Sequence, residues 1–355
     1  MSWHCSLPFS HIYTDPSGHY GLCCMSKLFN KSIHDTTLQE YFYSKEMKSI
    51  REEFETGKLD KVKSLCQVCI EQEKNGDDSY RQLWSEEVDQ LKDGDRHMTF
   101  KLSIFGNYCN LSCYMCFPVN SSRREADLKK IGWYEEFNPE KSKASNIDEV
   151  FDQLKPFLSK TTAFVIIGGE PLLMDKHYRF LDLLIKSGES KNISLSYTSN
   201  LTLNVDKFES YVKHFKNVRV SVSIDGVGEK NDYIRYGSKF DTIVENMKKL
   251  SCIVQVYYTV SILSVFDCNK AYDYFDYIAD YNIVYSPDFL SIKHLPQDIK
   301  NKLLDQIKFS KVQSELKKER SEDQWQKAIK YIKKLDESRE RKSYELFPEI
   351  AHVLR

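Results

Sequence analysis

From residue 98 onward, short apolar segments alternate with amphipathic ones, and this alternation restricts the fold more than any other feature of the chain. The apolar segments are rich in β-branched and aromatic residues and are bounded by turn-forming residues, as strands are. We predict six strands, at 98–106, 162–167, 193–199, 218–224, 253–262 and 282–286. We predict five intervening helices, at 146–159, 177–188, 205–215, 240–250 and 269–280. Such alternation indicates βαβ units, whose right-handed crossovers build a parallel sheet that is doubly wound or closed into a full or partial barrel.

The two ends of the chain do not share this alternation. Residues 1–95 carry turn signals and an amphipathic stretch at 37–57, which predict a separate small domain. Residues 296–355 contain no Gly and many charges, so we predict a helical extension whose charged face is mostly solvated. The predicted divisions are therefore 1–95, 96–292 and 293–355.

Composition excludes several classes of protein. The 51 basic and 52 acidic residues nearly cancel, which gives no support for non-specific binding to phosphates. No run of about 18 apolar residues occurs, and no secretory signal precedes the first domain, so we expect a cytoplasmic protein without membrane association. In a reducing cytoplasm, the ten cysteines are better explained by metal binding or catalysis than by disulfides.

Three cysteines follow the first predicted strand at close spacing, at positions 109, 113 and 116. This spacing fits one face of a helix, although Pro118 and nearby Asn and Ser residues disfavour a helix here. A structural zinc site would need a fourth ligand from elsewhere in the chain. An iron–sulfur cubane held by three thiolates would keep one iron open for a substrate or cofactor. The residues themselves leave these alternatives open.

The spacing Cys109-x3-Cys113-x2-Cys116 after the first strand resembles the cluster-binding motif of the radical S-adenosylmethionine (radical SAM) superfamily. The segment GGEP at 168–171, which follows the second strand, resembles the GGEP motif of the same superfamily. This resemblance implies an α/β fold with a partial (β/α)6 TIM-like barrel. It also implies that the three thiolates are catalytic ligands of a 4Fe-4S cluster, with S-adenosylmethionine (SAM) bound at the open iron.

The resemblance further implies a set of SAM-binding residues at the ends of the strands. The GGEP segment is expected to receive the methionine ammonium group, and polar residues after the third and fourth strands to contact the ribose and the methionine carboxylate. Met115 stands where many members of the superfamily have an aromatic residue, and it can pack against the adenine. The expected cofactor-binding residues are Gly168, Gly169, Glu170, Pro171, Ser199, Asn200, Ser223, Arg235 and Met115.

A second group of cysteines lies in the first 95 residues. Cys5, Cys23, Cys66 and Cys69 resemble the ligands of a twitch module, a shortened form of the SPASM domain that binds an auxiliary 4Fe-4S cluster. Cys24 competes with Cys23 for one of the four places. A zinc ribbon that uses the same thiols remains an alternative, because four thiolates hold either a zinc ion or a cluster. We expect the two remaining cysteines, Cys252 and Cys268, to be buried core thiols.

The implied activity is reductive cleavage of SAM to methionine and a 5′-deoxyadenosyl radical, which takes a hydrogen atom from a substrate. The resemblance implies an external electron donor such as flavodoxin or ferredoxin. It also implies a substrate that is a peptide, a nucleotide or a sugar derivative. The auxiliary cluster would accept an electron from the substrate radical or relay electrons inward. The alternatives are a zinc-stabilised binding protein without chemistry and a radical SAM scaffold that abstracts no hydrogen.

Overall fold

The structure is a computed structural model that describes residues 3–74, 76, 78–137 and 141–355. Nine strands lie in one mixed sheet of order β3-β2-β1-β4-β5-β6-β7-β8-β9. The strands are β1 (His11–Thr14), β2 (His19–Gly21), β3 (Leu28–Ser32), β4 (Met98–Leu102), β5 (Thr161–Ile166), β6 (Ser194–Ser199), β7 (Asn217–Ile224), β8 (Ile253–Val260) and β9 (Asp280–Ile283). From β4 to β9 the order in the sheet follows the order in the chain, as successive βαβ units require.

The α-helices precede, connect and follow these strands. They are α1 (Leu7–Ser10), α2 (Leu38–Phe42), α3 (Lys45–Thr56), α4 (Asp60–Leu65), α5 (Gln67–Lys74), α6 (Tyr80–Gln90), α7 (Ser122–Lys130), α8 (Ile147–Leu158), α9 (Asp175–Lys186), α10 (Asp206–Val212), α11 (Glu229–Ile234), α12 (Phe240–Lys249), α13 (Cys268–Phe275), α14 (Gln297–Gln306), α15 (Ser310–Leu316), α16 (Glu322–Arg339), α17 (Ser343–Leu346) and α18 (Ala351–Leu354). No helix among the described residues is long and apolar enough to cross a membrane.

The chain divides into two compact units, and the division passes through β6 and β7. The first unit comprises the described residues of Met1–Asn107, Lys141–Tyr197 and Ser210–Arg219. The second unit comprises the described residues of Tyr108–Glu140, Thr198–Glu209 and Val220–Arg355. The cysteine loop at 109–116 and the C-terminal helices therefore belong to the second unit, whereas the N-terminal cysteines and the GGEP segment belong to the first.

In the first unit, the N-terminal strands extend the parallel sheet. β1 pairs antiparallel with β2, and β2 pairs antiparallel with β3. On its other side β1 pairs parallel with β4, with Ile12 opposite Phe100, and β4, β5 and β6 continue in parallel. The sequence analysis did not identify β1, β2 or β3, because strands of three to five residues are too short to show a periodic pattern. The boundaries 1–95, 96–292 and 293–355 stay predictions.

The core of the first unit is built on aromatic side chains of β4 and β5. The rings of Phe100 and Phe164 stack with centroids 5.2 Å apart. Phe157 of α8 meets Phe100 edge-on at 5.8 Å, and Phe180 of α9 meets Phe164 edge-on at 5.2 Å. All four side chains are buried. The two helices thus cover the sheet as the apolar spacing at 146–159 and 177–188 predicts.

In the second unit, the C-terminal helices contribute to the core. Most charged side chains of the longest described helix, α16, are exposed or half-buried, but the helix also buries one whole face, which the sequence analysis did not identify. The buried side chains of that helix are Trp325, Ala328, Ile329, Tyr331, Ile332, Leu335 and Arg339. Apart from Arg339, these side chains are apolar or aromatic, and their spacing of three and four residues forms a stripe that the many charges of this segment obscure in the sequence.

All six predicted strands are present as β4 to β9, with differences at their ends. The first strand ends at Leu102 rather than at Gly106, because the next amide, of Ser103, donates to the Thr14 side chain at 3.0 Å instead of to a neighbouring strand. The last strand begins at Asp280, two residues earlier than predicted. The second predicted helix, at 177–188, runs from Asp175 to Lys186, and Gly188 beyond its end has a φ of 80°, which glycine adopts at low cost.

We expect Phe164→Ala to lower the free energy of unfolding by about 3–5 kcal/mol, because the substitution leaves a cavity between two aromatic rings. Phe164→Leu is the matched control and should cost less than about 1.5 kcal/mol, since it nearly conserves the volume. Denaturant unfolding followed by circular dichroism measures both. Equal losses for the two variants would contradict the assignment of Phe164 to a tightly packed core.

Candidate functional site

The cysteine loop lies in the second unit and contains no helix between residues 107 and 117. Phe117 is extended, with φ −83° and ψ 148°, as a residue before proline prefers. The reading of 109, 113 and 116 as one helix face is therefore wrong. The loop is instead held by its backbone, because the amides of Ser112 and Tyr114 donate to the carbonyls of Tyr236 and Ile234, both at 2.9 Å.

The three loop thiols lie near enough to affect one another's ionisation. Cys113 is buried, whereas Cys109 and Cys116 are half-buried. Burial and the neighbouring thiols of Cys113 and Cys109 raise the pKa of Cys116 to about 12. Burial also raises the pKa of Cys113, while the positive charge of Arg235 acts in the opposite direction. Such thiols would lose their protons to solvent when a metal centre binds, because coordination stabilises the thiolate.

Among the described residues, no three or more Cys, His, Asp or Glu side chains are grouped so that they could hold one metal ion. A cubane cluster makes a different demand, because each of its thiolates binds a different iron atom. Its thiols need not converge on a single point.

The loop contacts the end of β6 through Asn200, one of the predicted residues. The Asn200 side-chain amide donates to Asn110 Oδ1 at 3.0 Å and lies 3.8 Å from Cys109 Sγ. The side chain of Ser199, also predicted, accepts a hydrogen bond from the backbone amide of Leu201 at 3.0 Å. Ser199 and Asn200 are buried, and Asn200 brings the end of β6 next to the first thiol of the loop.

Arg235 is buried and pairs with an acidic residue that the sequence analysis did not assign. Its Nη1 donates to Asp225 Oδ2 at 2.8 Å, and Asp225 Oδ1 accepts from the Thr259 amide at 3.2 Å. The Nε atom of Arg235 is buried and has no partner among the described residues. Burial alone would lower the pKa of Arg235, but Cys113 and Asp225 outweigh this effect and raise it. Asp225 directly follows β7, and that position at a strand end could have identified it.

Two further buried arginines, Arg124 and Arg339, bind the cysteine loop and have no recognisable signal in the sequence. Arg124 Nη2 donates to the Tyr114 carbonyl at 2.8 Å, and Arg339 Nη2 donates to the Ser112 carbonyl at 2.7 Å. Burial and the nearby charge of Arg339 lower the pKa of Arg124 to about 9. Arg339 comes more than 200 residues after the loop, so only the fold reveals the contact.

The GGEP segment lies in the first unit and follows β5 as predicted. Gly168 and Gly169 have φ values of 95° and 53°, which side chains larger than hydrogen disfavour. A Cβ atom on Gly168 would also lie 3.2 Å from the carbonyl oxygen of Gly106. Glu170 is buried, and its carboxylate accepts a hydrogen bond from the Leu172 amide at 3.2 Å, at the start of the short 3₁₀ helix Pro171–Leu173. The conformation of this segment therefore depends on glycine.

The two remaining predicted SAM-binding residues, Met115 and Ser223, also belong to the second unit. Met115 lies within the cysteine loop, and Ser223 lies in β7 two residues before Asp225. Both side chains are half-buried. Their proposed contacts with the adenine and the ribose stay predictions.

The four N-terminal cysteines are brought together within the first unit. Burial and the thiols of Cys5 and Cys69 raise the pKa of Cys66 to about 12. The pKa of Cys23 is raised by burial and by Cys24, Cys5 and Cys66. Residues that lie up to 64 positions apart in the chain, from Cys5 to Cys69, thus form one electrostatic group.

Cys24 differs from Cys23 in its surroundings. Lys101 of β4 donates to Cys24 Sγ at 3.4 Å, and the same ammonium group lies over the rings of Tyr80 and Trp84 at 5.8 and 5.9 Å. Cys23 is buried and is electrostatically coupled to Cys5 and Cys66. The expectation for the other two cysteines holds for Cys268, which is fully buried, whereas Cys252 is only half-buried.

Comparisons with known proteins bear on this site. Residues 103–266 match the family model described as the radical SAM superfamily. Curated proteins provide no match. Among solved structures, native anSMEcpe with bound AdoMet is similar with 21% identity and a TM-score of 0.44, over 58% of this chain and 58% of that chain. SuiB of Streptococcus suis bound to S-adenosylmethionine is similar with 16% identity and a TM-score of 0.41, over 73% of this chain and 58% of that chain.

The chain thus spans 58% of the length of each of these two structures, at identities too low to carry over a substrate. The family match covers the cysteine loop, the GGEP segment, the ends of β6 and β7, and Arg235. Residues 103–266 of this chain are therefore similar to the radical SAM superfamily.

Proposed function

We propose that the protein is a radical SAM enzyme whose loop residues Cys109, Cys113 and Cys116 hold a 4Fe-4S cluster. The observation that carries the proposal is a set of three neighbouring thiols within the matched residues, in a loop whose backbone carbonyls accept hydrogen bonds from buried arginines. When bound, the cluster supplies the electron that cleaves SAM to methionine and a 5′-deoxyadenosyl radical, which takes hydrogen from the substrate. The chain contributes binding, orientation and the exclusion of water.

Arg235 is the residue that we propose binds the SAM carboxylate. Asp225 holds Nη1, so the guanidinium is kept in one orientation while its Nε edge is available for a second, charge-assisted contact. An arginine in a buried ion pair is pre-organised, which reduces the entropy lost when an anion binds. Gly168, Gly169, Glu170 and Pro171 are proposed to receive the methionine ammonium group, with Glu170 as the acidic partner.

The ribose and adenine are assigned to four residues of the second unit. Ser199 and Asn200 at the end of β6, together with Ser223 of β7, supply hydroxyl and amide groups that suit ribose hydroxyls. Met115 offers a flexible apolar surface for the adenine. The Asn200 contact with Cys109 would then couple the placement of SAM to the placement of the first thiolate.

We propose that Cys5, Cys23, Cys66 and Cys69 hold an auxiliary 4Fe-4S cluster of the twitch type. Four thiolates would saturate the cluster and suit it to electron transfer rather than substrate binding. Arg81 lies close enough to lower the pKa of Cys5, Cys66 and Cys69 against the effect of burial. The engagement of Cys24 by Lys101 supports Cys23 as the fourth ligand.

The remaining parts of the proposal concern the surroundings of the enzyme. We propose a flavodoxin or ferredoxin as electron donor, a cytoplasmic location, and a peptide, nucleotide or sugar derivative as substrate. The auxiliary cluster then either accepts the electron left on the substrate radical or relays electrons inward.

The first test is metal content and SAM cleavage. After anaerobic reconstitution with iron and sulfide, we expect about seven to eight irons per chain, corresponding to two cubanes. Reduction with dithionite in the presence of SAM should release 5′-deoxyadenosine, and Cys113→Ala should abolish this release. Cys252→Ala is the matched control and should retain it. Zinc without iron would favour the zinc-stabilised binding protein, and a fully loaded protein that releases no 5′-deoxyadenosine would contradict an enzyme.

The second test separates the N-terminal cysteines. Replacing Cys66 and Cys69 with Ala should lower the iron content by about four per chain and leave some uncoupled SAM cleavage. Cys23→Ala should have the same effect on iron, whereas Cys24→Ala should leave it unchanged. The reverse result for these two single variants would assign the fourth position to Cys24. If cleavage disappeared in Cys66→Ala/Cys69→Ala while the loop cluster stayed spectroscopically normal, the auxiliary cluster would be the entry point for electrons.

The third test concerns Arg235. We expect Arg235→Lys to weaken SAM binding by about tenfold to a hundredfold, because lysine keeps the charge but cannot contact Asp225 and a carboxylate through one planar fork. Titration calorimetry on the reconstituted protein measures the Kd. Lys293→Gln breaks the ion pair with Asp288, 2.6 Å long, elsewhere in the second unit and should leave the Kd unchanged. Unchanged affinity in Arg235→Lys would remove Arg235 from the SAM site.

A further inference from the structure

Two arginines bind the outside of the cysteine loop without being part of any predicted motif. Arg124, on α7, is 0% exposed, and Arg339, the last residue of α16, is 8% exposed. Burying a guanidinium is costly unless its hydrogen bonds and charge are satisfied. The hydrogen-bond partners of the two guanidinium groups therefore decide whether their burial is compensated.

Arg124 holds the second half of the loop. Its Nη2 donates to the Tyr114 carbonyl at 2.8 Å, and its Nε donates to the Cys116 carbonyl at 3.3 Å. The guanidinium also lies over the ring of Phe137, 4.9 Å from the centroid, and over that of Tyr331, at 5.5 Å. Tyr331 itself donates to the Tyr114 carbonyl at 2.6 Å. The backbone on both sides of Met115 is thus fixed by one side chain.

Arg339 holds the first half of the loop. Its Nη2 donates to the Ser112 carbonyl at 2.7 Å, to Ser112 Oγ at 3.1 Å and to Asp127 Oδ2 at 3.2 Å. The Ser112 hydroxyl donates to the same Asp127 oxygen at 2.7 Å. The guanidinium lies 4.3 Å from the ring centroid of Tyr236, whose carbonyl accepts the Ser112 amide. Together Arg124 and Arg339 bind the alternate carbonyls of residues 112, 114 and 116.

Around the loop thiols, the described side chains carry more positive than negative charge. Arg124, Arg235 and Arg339 are accompanied by two carboxylates in their contacts, Asp127 and Asp225. Arg124 Nη1, Arg339 Nε and Arg339 Nη1 are buried without a hydrogen-bond partner among the described residues. Each such atom is costly to leave unsatisfied. The surplus charge suits an anionic group held by the loop.

We propose that Arg124 and Arg339 are positioning residues that hold the cysteine loop and raise the reduction potential of the cluster bound there. The inference rests on the proposed function. A cubane with three thiolates is anionic, and one-electron reduction adds a further negative charge. Fixed positive charge in a buried, weakly screened site stabilises the reduced form more than the oxidised form. The loop geometry and the redox potential would thus be set by the same two side chains.

The test is a redox titration of the reconstituted full chain, followed by electron paramagnetic resonance. The loop cluster is identified by the change in its signal when SAM is added. Arg124→Gln and Arg339→Gln should each lower the midpoint potential of the loop cluster by about 59 mV. For a one-electron reduction, this shift corresponds to an about tenfold change in the equilibrium constant. Arg124→Lys and Arg339→Lys keep the charge and should stay near the wild-type potential.

Two controls separate charge from structural damage. Asp127→Asn removes a negative charge but keeps an oxygen acceptor for Ser112 and Arg339, so the potential should rise. Arg123→Gln removes an exposed arginine that donates to the Asn110 carbonyl of the same loop at 2.6 Å, and the potential should not change, because solvent screens that charge.

The proposal would be overturned by glutamine variants that keep both iron and the wild-type potential. It would also be overturned if Asp127→Asn lowered the midpoint potential, because removal of a negative charge should raise it. Structural damage to the loop would not be expected to shift the potential according to the sign of the charge that is removed. If the glutamine variants lose the cluster, the sign of the Asp127→Asn shift and the potentials of the lysine variants decide the question. Failure of the wild-type protein to bind iron would instead refute the proposed function.

Discussion

The cysteine loop depends on hydrogen bonds from outside itself, because residues 107–117 form neither helix nor strand. Buried backbone groups must find partners, and here the partners come from the second unit. The amides of Ser112 and Tyr114 bind carbonyls at the end of α11, and two arginines bind the loop carbonyls. These contacts hold the backbone on either side of the three thiols. A loop held this way resembles a rigid element more than a mobile connection.

In both groups of cysteines burial raises the pKa of the thiols, but the charged residues that counteract this effect differ. Burial raises the pKa of Cys113 and of Cys66, although the proposed clusters would require both as thiolates. Around the loop, Arg235, Arg124 and Arg339 counteract the effect of burial on Cys113. For Cys5, Cys66 and Cys69 this is done by Arg81, which is itself paired with Glu73 at 2.9 Å. The loop group carries surplus positive charge and three thiols. The N-terminal group carries four thiols, which alone suffice to saturate a cubane.

Much of the fold was predictable, because the central strands follow simple local rules. A continuous apolar run that stops at Gly168 can only be a buried strand or a helix segment, and its short length favours the strand that became β5. Strands β1 to β3 gave no such signal, since each is too short for a periodic pattern. Helix α16 was misread because Lys, Glu and Arg between Trp325 and Leu335 dominate its composition, while the buried face depends on spacing.

The sequence by itself determined the thiols, the GGEP segment and the polar residues at the ends of β6 and β7. These are local features, because strand ends and turns depend on neighbouring residues. Only the tertiary structure decided which charges surround the thiols. Asp225 pairs with Arg235 across ten residues, but Arg339 reaches Ser112 across 227 residues, and no local pattern encodes such a contact. The electrostatic environment of a site is a sum over distant charges in a medium of low polarity, so it exists only once the chain has folded.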